Sequence, residues 1–344
     1  LALWRDRPDE SLLVLVQLLF DPRLGYSATH ALLSAGLCAL VSPSAGLPDA
    51  EQGTLFRAAL TMNIGMTRAH DAMARQPGPL SDVQRQAVRE HPLRSAAVLR
   101  ELGVDDPLWL QLVREQHERP DGSGYPEGLQ VTGMAHRLLQ MADVYVACIS
   151  PRQSRGGLLS QQVARELYLG PDQQPDPLGA LFVKNIGFYP PGSYVRLASG
   201  EVAVVARRGA RANAPLVFAI VGRQGMPLGE PVLRDTADGH LEPPQFGKDL
   251  GDGVMLAYIL VQLFVMASVI IVAVRRAPWA RSSMHCSRMP GSVSSCSSSM
   301  PFVIPPTGDS RSWHRREHIR LARRVGSTVM QRSCSGPQAI GLTG

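Results

Sequence analysis

Apolar positions recur at helical spacing through the first half of the chain and at strand spacing after it. Ser11 to Phe20 is an apolar run of helix length, and Thr29 to Val41 repeats apolar residues at helical spacing until Pro43 ends it. Ala50 to Met62 predicts another helix. Pro77-Gly78-Pro79 marks a loop, and Ser81 is a good N-cap for a helix over Asp82 to Glu90. Further helices are expected at His91 to Leu102, which His91-Pro92 opens, and at Pro107 to Glu118, Met134 to Ile149, Gln161 to Tyr168 and Asp176 to Asn185. The texture then changes. Pro190-Pro191-Gly192-Ser193 reads as a turn, and Tyr194 to Leu197 and Val202 to Ala206 alternate around Ser199-Gly200 as a hairpin. Leu216 to Val221 predicts a third strand. The expected class is mainly α: a helical domain over 10–186, a small β module over 187–245 and a tail over 246–344.

The tail follows another pattern. Gly253 to Val274 is an uncharged apolar run of 22 residues between Asp252 and Arg275-Arg276, long enough to span a bilayer. Beyond it the sequence is Ser- and Arg-rich without apolar periodicity, the signature of disorder. Two readings stay open. The run 253–274 is an inner-membrane anchor for a cytoplasmic main domain, or 246–344 is a readthrough extension foreign to the design.

Composition narrows the classes. The 344 residues carry 44% hydrophobic side chains, enough for a real core, and a net charge of +6. Eleven arginines lie from Arg275 onward against two acids there, Asp309 and Glu317. The first 274 residues are therefore close to neutral, which argues against a nucleic-acid surface on the main domain. Cys38, Cys148, Cys286, Cys296 and Cys334 form no C-x-x-C pair, which excludes a zinc ribbon or thioredoxin motif. Cys38 and Cys148 read as buried thiols in a reducing compartment. The chain begins at Leu1, not Met, so it reads as a fragment.

The chemistry concentrates in Gln116-His117-Glu118-Arg119-Pro120-Asp121-Gly122-Ser123-Gly124-Tyr125-Pro126. The glycines permit positive φ and close approach to a ligand. Tyr125 offers a ring for stacking and a hydroxyl, and Pro126 fixes the loop's exit. The segment resembles the signature of the HD-GYP family, metal-dependent phosphohydrolases whose usual substrate is cyclic di-GMP. Other family landmarks fall in order: His30 on an early apolar helix, His91-Pro92, His117 before the loop, and Ala142-Asp143-Val144-Tyr145. The stretch Tyr189-Pro190-Pro191-Gly192 resembles the β extension that follows many such domains. The resemblance runs from about residue 20 to about residue 205.

The likeness breaks at its centre. Where the family has His-Asp-x-Gly-Lys, the chain has Met62-Asn63-Ile64-Gly65-Met66, and the first histidine of a His-His pair is Gln116. A two-metal hydrolase needs an anionic oxygen between its ions, and Asn63 lacks the charge. The Met62 thioether suits soft metals, and Met66 removes a cation that would steady a phosphoryl group. The resemblance implies His30, His91, His117 and Asp143 as ligands of one divalent metal (Fe, Mn or Zn); otherwise they are polar groups satisfied inside a helical core and no metal binds. It implies Arg119, Asp121, Gly122, Gly124, Tyr125 and Pro126 as the ligand-binding loop. Whether the chain is an enzyme stays open. The expected function is a degenerate HD-GYP domain acting in cyclic di-GMP signalling, by binding cyclic di-GMP or a GGDEF-domain partner. The alternatives are a phosphodiesterase with an altered metal set and a membrane-anchored scaffold, with the helical domain as a homodimerisation unit.

Overall fold

The computed structural model describes residues 2–242, apart from 22, 170–172 and 238–240. Ten α-helices lie among the described residues: α1 Ala2–Asp6, α2 Pro8–Leu18, α3 Tyr26–Val41, α4 Asp49–Thr61, α5 Thr67–Ala74, α6 Asp82–Glu101, α7 Pro107–Arg114, α8 Met134–Ile149, α9 Ser160–Leu169 and α10 Pro177–Ile186. A 3-10 turn, Ile64–Met66, joins α4 to α5. The fold is the expected helical bundle with a small β module.

The long helix α3 is the bundle's axis. Small residues along it, Ser34, Ala35, Gly36 and Ala39, are buried and let neighbouring helices approach closely. A Cβ at Gly36 would fall 2.2 Å from the Trp4 ring, so only glycine admits α1 there. Leu33, Leu37, Leu55, Leu112, Leu138 and Phe182 fill one continuous core from α3, α4, α7, α8 and α10. Each fully buried side chain of that size contributes about 1.5–3 kcal/mol. The helix starts follow sequence chemistry. Ser81 and Gln84 form a reciprocal capping box at α6. Asp106 and Asp176 cap α7 and α10, each followed by proline at the first helical position.

One expectation about the helices is corrected. His91-Pro92 does not open a helix; α6 runs through it without a break from 82 to 101. Pro92 has no N–H for the Val88 carbonyl, and the His91 Nδ1–H supplies that bond instead at 2.6 Å. The helix α5, too short for a clear periodicity, escapes the sequence pattern altogether.

The β module is an antiparallel sheet in the order β4-β3-β2-β1-β5, with β1 Tyr194–Leu197, β2 Val202–Arg207, β3 Leu216–Val221, β4 Pro227–Asp235 and β5 Leu241–Glu242. The hairpin β1–β2 and the strand β3 stand as expected. The strand β4 does not follow from the pattern, because it is an exposed edge without alternating burial. Gln17 of α2 fastens the module: its amide donates to Gly192 O at 2.6 Å and its carbonyl accepts from the Tyr194 hydroxyl at 3.1 Å. Among the described residues no helix is long and apolar enough to cross a membrane. The run 253–274 and the tail lie outside the described residues.

Candidate functional site

Three helices and one loop bring the predicted polar residues together. His30 comes from α3, His91 from α6 and Asp143 from α8, while His117 and Gln116 follow α7. His30 Nε2 lies 2.7 Å from Asp143 Oδ1, and His117 Nδ1 lies 3.8 Å from Asp143 Oδ2. The His91 and His117 rings stand edge to face with centroids 5.1 Å apart. His70 of α5 joins them, 5.6 Å from the His30 ring and 4.7 Å from Tyr26. Sequence reasoning misses His70 because it misses α5.

Burial and charge set the protonation states. Burial alone would raise the Asp143 carboxyl, but the His30 hydrogen bond and the neighbouring imidazoles outweigh it and hold the group below the usual carboxylate range. Burial lowers His91 to about 4 and His70 to about 3, with neighbouring histidines adding to it, and lowers His117 as well. These three rings are therefore neutral at pH 7. His30, facing a carboxylate, is the donor through Nε2, which leaves its buried Nδ1 unpaired.

The residues at the altered motif are equally buried. Met62 is completely enclosed and packs into the main core, and Asn63 and Met66 are buried beside it. Gly65 keeps its place because a Cβ would lie 2.6 Å from the Ser95 backbone nitrogen. The Gln116 amide donates to Met62 O at 2.9 Å and to His91 Nε2 at 3.2 Å. No carboxylate replaces the missing aspartate at position 63. His30 Nε2 is bonded to Asp143 and His91 Nε2 to Gln116, while the buried Nδ1 of His30 stays without a partner. Among the described residues no group of three or more His, Cys, Asp or Glu is arranged to hold a metal ion.

The loop is ordered by a residue that sequence reading passed over as half of a His-Glu pair. Glu118 is buried, and its carboxylate accepts the backbone N–H groups of Glu127 at 2.7 Å, Gly128 at 3.1 Å and Leu129 at 2.9 Å. Such charge-assisted bonds are about twice as strong as neutral ones. Gly124 passes so close to the chain that a Cβ would lie 2.4 Å from His117 O, and Gly122 has φ +73°. Asp121 Oδ1 accepts both the Ser123 N–H at 3.0 Å and its hydroxyl at 2.8 Å. The Tyr125-Pro126 bond is cis. The Tyr125 ring stacks on His117, with centroids 4.6 Å apart and planes 23° apart. Tyr125 is thus half-buried, and one face of its ring is already occupied. Arg119 stays exposed and donates a long bond to Ser123 Oγ at 3.4 Å.

A helical bundle with this loop and this histidine constellation defines an HD-type phosphohydrolase scaffold. Residues 14–177 match the family model described as HD domain, which places that stretch in the HD family and supports its HD-GYP branch. Among its relatives is a cyclic di-GMP phosphodiesterase of Pseudomonas aeruginosa, 31% identical over 183 residues, 52% of this chain and 44% of the relative. Another is a 3'3'-cGAMP-specific phosphodiesterase of Vibrio cholerae, 26% identical over 155 residues, 44% of this chain and 36% of that protein. The matched region thus spans less than half the length of these relatives. A solved structure, an HDG"Y"P protein from Bdellovibrio bacteriovorus, matches 45% of this chain and 50% of its own with a TM-score of 0.37 at 17% identity.

Proposed function

We propose that this chain is a catalytically silent HD-GYP domain that acts in cyclic di-GMP signalling by binding, with the 117–129 loop as its recognition element. One observation carries the reading. The loop retains every part that orders it, while the pocket beneath it carries Asn63, with no charge to bridge two metal ions, where the family has an aspartate. The names of the relatives support a cyclic dinucleotide as the ligand class. Arg119 can meet a phosphate with two parallel hydrogen bonds, and the outer face of Tyr125 can stack on a base. A GGDEF-domain protein is the partner class that fits the same signalling context.

Titration calorimetry of the purified chain with cyclic di-GMP and, separately, 3'3'-cGAMP tests this. Arg119→Ala should weaken binding of the preferred dinucleotide by about 1–3 kcal/mol, the cost of one charge-assisted contact. Tyr125→Ala should weaken it by a similar amount and also lower stability, because the ring covers His117. Absence of heat with both dinucleotides, together with no binding to a GGDEF domain, would remove the binding reading.

A further inference from the structure

The Gln116 amide is completely buried and its orientation is fixed by its neighbours. Met62 O can only accept, so the NH2 end must face it, at 2.9 Å. The second N–H then points to His91 Nε2 at 3.2 Å. His91 Nδ1 is already a donor, because it fills the bond to Val88 O that Pro92 cannot make. Its Nε2 must therefore carry the lone pair that Gln116 needs as an acceptor. Both protons of one amide are used, and the tautomer of His91 agrees with both bonds. Three separate segments meet here: the turn after α4, the middle of α6 and the loop after α7. A histidine ring in place of Gln116 could not donate to both acceptors at once, since a neutral imidazole has one N–H.

We propose that the Gln116 side chain stands in for a metal ion, tying His91 to the Met62 backbone and holding α4, α6 and the recognition loop together without an ion. Gln116 is in these terms a positioning residue. Its two donors close the lone pair of His91 and the carbonyl of Met62, whose side chain lies in the main core. The change at 116 and the change at 62 are then one coupled replacement. The tie goes beyond the binding reading. Dinucleotide binding could fail with the tie intact, and the tie could fail with binding intact.

The test uses the whole chain, its thermal midpoint and a long-range 15N–1H spectrum of the histidines. The parent's midpoint should be unchanged by EDTA and by stoichiometric Mn²⁺, Fe²⁺ or Zn²⁺. Its spectrum should show His91 protonated on Nδ1, with Nε2 at the shift of a hydrogen-bonded lone pair. Gln116→Met keeps the volume and removes both donors. It should lower the midpoint by several degrees and move His91 Nε2 to the shift of a free lone pair. If Gln116 only fills space, the methionine variant would keep both the midpoint and the Nε2 shift, and the proposal would fall. Should that variant not fold, the parent decides alone: a midpoint raised by any of the three metals, or His91 protonated on Nε2, overturns the tie.

Discussion

At the scale of single residues, the pocket is governed by which nitrogen of each imidazole is spoken for. His91 is buried and its basicity is lowered to about 4 from an ordinary 6.5, chiefly by burial and then by the neighbouring His117, with which it competes for a proton. An unfolded chain takes up that proton near pH 6.5, while the folded chain resists it until about pH 4. The unfolded state thus binds more protons across this window, so stability must fall as pH falls. His91 alone corresponds to about 3 kcal/mol. His70, lowered to about 3, acts in the same direction. Asp143 acts only at lower pH, since its carboxyl is held below the ordinary 3.8. Urea midpoints measured from pH 7 to pH 4.5 should decline steadily, and a flat profile would contradict neutral, buried histidines. Much of this was legible in the sequence: His30, His91, His117 and Asp143 stand in register with a family and meet in space. His70 and the double role of Gln116 were not legible. A lone histidine in an unassigned segment carries no signal, and a glutamine's two donors acquire meaning only from acceptors 54 and 25 residues away.

At the scale of elements, the helices that bury a wide apolar stripe were readable, and those shaped by local exceptions were not. The helices α3, α4 and α8 begin and end within a few residues of their expected bounds, because their apolar periodicity marks them. The passage of α6 through Pro92 could not be read, since it depends on one imidazole replacing one backbone donor. The edge strand β4 lacks the alternation by which strands are recognised. The loop 117–129 is the proposed recognition element, and Glu118 is its organiser. Glu118→Ala would leave three N–H groups without their acceptor. Stability should drop by about 2–4 kcal/mol, read from urea unfolding. Dinucleotide affinity should fall tenfold or more, about 1.4 kcal/mol of lost preorganisation. Glu118→Gln, which keeps one acceptor, should lose less of both. Equal affinity in all three proteins would show that the loop is not the recognition element.

At the scale of the whole molecule, the HD domain and its β module form one scaffold, and the proposed binding role keeps an enzyme family's architecture without its metal chemistry. The family was legible because the loop and the spaced histidines survive. The consequence of the changes at 62, 63, 66 and 116 required the structure, which shows these positions buried in one region and Gln116 bonded across it. Restoring Met62→His, Asn63→Asp, Met66→Lys and Gln116→His together should raise bound metal before it raises any rate, because coordination must precede catalysis. The unmodified chain provides the most direct test of the central claim. Incubated with cyclic di-GMP and saturating Mn²⁺ or Fe²⁺, and followed by chromatography of the nucleotides, it should form no linear product above a protein-free control while still binding the dinucleotide. Metal-dependent turnover by that same unmodified chain would contradict the account and establish a phosphodiesterase with an altered metal set.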